Sequence, residues 1–131
     1  MKTTIEYPTL IGGTVTIHII KPTMAMMTVV RDCIDVLELN DISIQIDVYD
    51  HIPHVFGDCR QRTQFGFVVR VMDNDDWVNT LLHELYHVYQ MVNHKPLTES
   101  HADMFMTWYT DIPNTRWVNT NTGYRIVGMT Q

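Results

Sequence analysis

The residues of this chain best spaced to do chemistry together are two histidines and a glutamate, in the run His83-Glu84-Leu85-Tyr86-His87. On a helix, the four-residue step from His83 to His87 turns the side chain by only about 40°, so both imidazoles face one way and can share an ion. Glu84 lands beside them and can take a proton from a water held there. This H-E-x-x-H spacing supplies two ligands and a general base, the set that zinc-dependent hydrolysis needs, with one Zn2+ ion as the implied cofactor. The plainer alternative is a surface helix with two incidental histidines.

A catalytic zinc usually has three protein ligands and an open fourth position. The downstream candidates are His94, Glu99 and His101. The metzincin spacing, H-E-x-x-H-x-x-G-x-x-H, would place a glycine at position 90 and a histidine at 93; Gln90 and Asn93 stand there instead. Glu99 opens a second helix, antiparallel to the first after a short connection, which brings its side chain back over His83 and His87. Asp103 lies four residues on, on the same face, where it can accept the free N–H of a ligating histidine and fix its tautomer. His101 is turned about 200° from Glu99 and faces away. Glu99 is therefore the expected third ligand. Taken alone, Glu99 and Asp103 are also what ordinary helix-start acidity looks like.

With these residues the chain resembles the gluzincin metallopeptidases. His83-Glu84-Leu85-Tyr86-His87 matches their first motif, and Glu99-Ser100-His101-Ala102-Asp103 matches the E-x-x-x-D element of their second helix. The run from Thr80 to Gln90 is similar to compact bacterial and phage members, including SprT-like and ImmA/IrrE-like proteins. The resemblance covers about Asp76–Tyr109. It implies a zincin-like α+β domain acting on a protein or peptide substrate, with Glu84 as the base that activates water and later protonates the leaving amine. It also implies that Phe65–Met72 is the edge strand above the site, where an extended peptide adds as a further strand. From the residues alone, an interior strand with Phe67 and Val69 in the core fits that run equally well. The chain carries neither the helical domain of larger gluzincins nor the cysteine-rich ribbon and basic segment of SprT-like enzymes. The transition-state donor is accordingly open among Tyr109, Tyr124, Arg125 and His101, each of which also fits packing or solvated surface. Two rival readings stand beside the peptidase. In one, a non-catalytic binding or structural protein is closed by the metal; in the other, a regulator cleaves one specific partner.

Around this site the sequence predicts an α+β order of strands and helices. A strand within Thr3–Leu10 turns through Gly12-Gly13 into the alternation Val15, Ile17, Ile19. Thr23 caps a helix whose stripe is Met27, Val30, Ile34 and Leu37, with Asn40 near its end and the Met24–Met27 stretch in its core. Ile42, Ile44, Ile46 and Val48 form the clearest strand. Asp50–Gln64 is polar and irregular, with His51 and His54 as loop residues or cleft lining. Phe65, Phe67, Val69 and Val71 alternate again. Asn74, Asp75 and Asp76 offer caps for a helix from Trp77 to Asn93, which Leu81, Leu85, Val88 and Val92 would dock on the sheet. Lys95-Pro96 breaks it, Thr98 caps the next helix to about Thr110, and Trp117–Met129 holds one or two short strands. The expected sheet is small and mixed or antiparallel, packed on the N-terminal helix and the H-E-x-x-H helix.

Of the 131 residues 45% are hydrophobic, enough for one core, so a single domain over 1–131 is expected. The net charge of −6 and the lack of a basic stripe argue against a nucleic-acid partner. No run approaches the ~18 apolar residues of a membrane span, and Glu6 and Pro8 interrupt any secretory leader, so a cytoplasmic protein with no membrane partner is expected. Cys33 and Cys59 stand in no metal-ligand spacing; Cys33 falls on the apolar face of its helix. Nothing in the sequence sets an oligomeric state.

Overall fold

The computed structural model describes residues 2–52, 55–111, 116–120 and 123–127, with 110–111 and the last two stretches described by backbone alone. In chain order the elements are β1 (Lys2–Pro8), β2 (Thr14–Ile20), α1 (Met24–Val36), β3 (Ile42–Tyr49), β4 (Gly57–Thr63), β5 (Gly66–Met72), α2 (Trp77–Val92), α3 (Glu99–Asp111), β6 (Arg116–Thr120) and β7 (Gly123–Val127). The class is α+β.

The period-two alternation of the central strands builds the core directly. Ile17, Ile44 and Phe67 fall in one row across β2, β3 and β5, and Ile19, Ile46 and Val69 in the next. All six are buried. The sheet order is β1-β2-β3-β5-β4; β2, β3 and β5 are parallel, while β1 and β4 pair antiparallel at the two edges. A separate two-stranded sheet joins β6 and β7. Val29, Val30, Cys33 and Ile34 of α1 and Leu81, Leu82, Leu85 and Val88 of α2 pack into the same core. Each such aliphatic side chain contributes about 1.5–3 kcal/mol when fully buried. The opposite sheet face carries Thr16, His18, Ser43, Gln45 and Arg70, with Val68 buried there between Gln45 and Arg60.

Three expectations change. Gly57–Thr63, inside the stretch expected to be irregular, is a strand. It lacks an apolar alternation because it is an edge, exposed from Arg60 onward. The same strand displaces β5 from the edge: β5 lies between β3 and β4, with Phe67 and Val69 in the core. Finally, α1 ends at Val36 rather than near Asn40. Glu38 takes a left-handed conformation (φ 51°), and Leu39 N–H reaches back to the Ile34 carbonyl at 3.0 Å, a turn that closes the helix. Of its methionines, Met26 is buried but Met24 is 88% exposed. Thr23 caps α1 as its type predicts, its hydroxyl accepting from Met26 N–H at 3.1 Å. Both cysteines are free. Among the described residues no helix is long and apolar enough to cross a membrane.

Candidate metal centre

Leu81, Leu82, Leu85 and Val88 fasten α2 to the core, and this fixes where its polar face looks. That face carries His83, Glu84, His87 and Gln90. Ala102 and Phe105 seat α3 beside it, the Phe105 ring lying 5.2 Å from that of Tyr86. Glu99 and Asp103 share the side of α3 turned toward α2. His101 is exposed, in a shallow hollow with Tyr86, Met104, Phe105 and Trp108.

Three atoms converge between the two helices. Glu99 Oε2 is 2.5 Å from His83 Nε2 and 3.2 Å from His87 Nε2, and the two Nε2 atoms are 3.1 Å apart. The outer ring nitrogens have their own partners: His83 Nδ1–H donates to Asp103 Oδ1 at 3.0 Å, and His87 Nδ1–H donates to Gln90 Oε1 at 2.7 Å. Carboxylate and amide oxygens only accept, so each ring carries a proton on Nδ1 and turns Nε2 inward, where its lone pair is free for an ion or, if Nε2 is also protonated, its N–H donates to Glu99. Gln90 cannot flip without cost, because its NH2 group donates to Thr98 Oγ1 at 3.1 Å and to the Thr98 carbonyl at 3.4 Å.

Three inward lone pairs around one point repel unless a cation or added protons lie among them. No family model, curated protein or solved structure matches this chain. What the cluster can do follows from its own donors. Two imidazole nitrogens and a carboxylate oxygen are a set that zinc accepts, and ligands of a tetrahedral site stand roughly 3.3 Å apart, near the separations found here. His83, His87 and Glu99 form the cluster able to hold a metal among the described residues. The Glu99 side chain is 75% exposed, so water reaches the site. Slight burial would raise its carboxyl, but the bonds with His83 and His87 outweigh this and hold it below its ordinary range.

Glu84 occupies a different environment on the same helix. It is buried, and that burial pushes its carboxyl up, against the pull of His83 and His87. Strand β4 closes over it. Gly57 makes that approach possible, because a Cβ there would meet Thr80 Cγ2 at 2.5 Å and the Arg70 carbonyl at 2.6 Å, with Glu84 Cγ at 3.6 Å. A cavity of about 280 Å³ opens beside it, lined by Val55, Phe56, Gly57, Asn79, His83, Glu84 and Met106 among others.

The remaining candidates are elsewhere or outside the described residues. Tyr109 directs its hydroxyl to Asp32 Oδ2 on α1 at 3.0 Å. The side chains of Tyr124 and Arg125 lie outside the described residues, as does His54. His94 takes φ 54° in the turn that ends α2, where Lys95 N–H bonds the Gln90 carbonyl at 2.8 Å. His51 is an exposed loop residue. Two contributors escaped the sequence reading. Gln90 stands three residues after His87 on the same face, a signal that the spacing did contain. Gly57 carried no local signal, since its need arises only when β4 meets α2.

Proposed function

We propose that this chain is a zinc-dependent metallopeptidase of the compact, gluzincin-like kind. The observation that carries the proposal is the convergence of three lone-pair atoms, from His83, His87 and Glu99, beside the buried carboxylate of Glu84. His83, His87 and Glu99 would hold the ion, which when bound supplies a Lewis acid that acidifies water and polarises a carbonyl. Asp103 and Gln90 keep both imidazoles in the tautomer that ligation needs. Glu84 takes the proton of the attacking water and returns it to the leaving amine; its raised proton affinity suits that exchange. The edge strand β4 is the surface on which an extended peptide would lie, and the cavity at Val55, Phe56 and Met106 would receive one of its side chains.

Elemental analysis after dialysis of wild type, Glu99→Ala and His101→Ala tests the ligand set. The expected result is near-stoichiometric zinc in wild type and His101→Ala, and loss in Glu99→Ala. A folded wild-type protein that takes up no added zinc would overturn the proposal. Peptide hydrolysis with Glu84→Gln as the inactive control then separates an enzyme from a metal-closed binding protein.

A further inference from the structure

Two arginines stand on the edge strand whose start closes on the cleft: Arg60 lies across from Val68, on the sheet face away from α2, and Arg62 sits at a register shift between Gln61 and Thr63. Arg60 and Arg62 of β4 are both exposed, and neither belongs to an ion pair among the described residues. The acid nearest in sequence is already engaged: Arg70 Nε–H donates to Asp58 Oδ1 at 2.7 Å, and a second guanidinium nitrogen donates to Asp58 Oδ2. In a chain of net charge −6, this leaves a local positive rim on one strand. Among the described residues β4 hydrogen-bonds a neighbour on one side only, so its outer edge offers alternating N–H and C=O groups to an incoming strand.

Direction adds information. β4 runs from Gly57, against Thr80 and Glu84, toward Thr63. At about 3.3 Å per residue, Arg60 lies roughly 10 Å along the strand from Gly57. Antiparallel pairing is the more stable mode, and an antiparallel guest enters at the Thr63 end and reaches Glu84 later. Guest residues opposite Arg60 and Arg62 therefore precede the one at Glu84 by about three to five positions, with Cβ atoms about 5 Å from their partners. A guanidinium at that range pairs bidentately with a carboxylate.

We infer that β4 recognises an extended acidic peptide, Arg60 and Arg62 pairing with Asp or Glu side chains upstream of the bond presented to Glu84. The position of that bond rests on the peptidase proposal; the binding rests on the strand edge alone.

The test uses the full chain as Glu84→Gln, with fluorescence anisotropy of short labelled peptides in zinc-containing buffer and again in EDTA. The peptides carry the acids upstream, carry them downstream, or replace them with Asn and Gln; a single-stranded oligonucleotide of equal charge is the fourth probe. The upstream-acidic peptide should bind about tenfold tighter than the neutral one, and the preference should vanish in Arg60→Ala/Arg62→Ala and shrink with salt. Equal binding of the neutral or downstream peptide, an unchanged preference in the double variant, tighter binding of the oligonucleotide, or no binding at all would overturn the inference. Acidic preference without turnover by wild type would remove the peptidase and keep the docking strand. Turnover of neutral peptides without acidic preference would do the reverse.

Discussion

Among the described residues two carboxylates are buried in the helical layer, Glu84 on α2 and Asp32 on α1, and burial raises the proton affinity of both. They differ in what surrounds them. Glu84 borders a cavity beside two imidazoles. Asp32 is 0% exposed; its Oδ2 accepts from the Tyr109 hydroxyl, its Oδ1 has no hydrogen-bond partner among the described residues, and its affinity is pushed up to about 7. Desolvation alone therefore marks neither residue as chemical. Access to water and the neighbouring lone pairs make the distinction.

The largest expected effect is at Glu84. Glu84→Gln should lower peptide hydrolysis by about a hundred- to ten-thousand-fold while zinc content stays constant. Unchanged turnover would make the two carboxylates equivalent. Next comes the pH dependence that Asp32 imposes on stability. Its folded value is raised from 3.8 to about 7, so the native state holds a proton that the unfolded chain has lost in that window. Stability from this group is full below about pH 4, falls by about 1.4 kcal/mol per pH unit on the way to 7, and then levels off. Urea unfolding of metal-free protein should show that slope in the difference between wild type and Asp32→Asn. Parallel curves would show that Asp32 ionises normally. Gly57→Ala should cost about 1–3 kcal/mol in the same assay, because the new Cβ meets the Arg70 backbone and β4 must shift off Glu84. The smallest effect is Tyr109→Phe, about 0.5–1.5 kcal/mol from the lost hydrogen bond with no change in turnover. A kinetic defect there would return Tyr109 to the active site.

How much of this was legible in the sequence depended on the range of the interaction. Helical spacing is local, so His83 with His87, and Glu99 with Asp103, could be placed on common faces before any fold was known. The alternations at Ile42–Val48 and Phe65–Val71 marked strands because one face of each meets the core. β4 was hidden: its Arg60, Gln61 and Arg62 are exposed and carry no apolar period. β4 takes the sheet edge from β5, and with it the surface on which the proposal would lay a peptide. Asp32 was silent for another reason. Its hydrogen-bond partner, Tyr109, lies far along the chain, and nothing within α1 announces the pairing.

The Gln90–Thr98 bonds have a further consequence. They tie the end of α2 to the residue just before Glu99, so the orientation of His87 and the docking of α3 rise and fall together. If the proposed ion is held partly by Glu99, it would select the docked form over the frayed one, and the opening free energy of α3 would then depend on ligation. Amide exchange along Glu99–Asp111 should then slow as zinc is added.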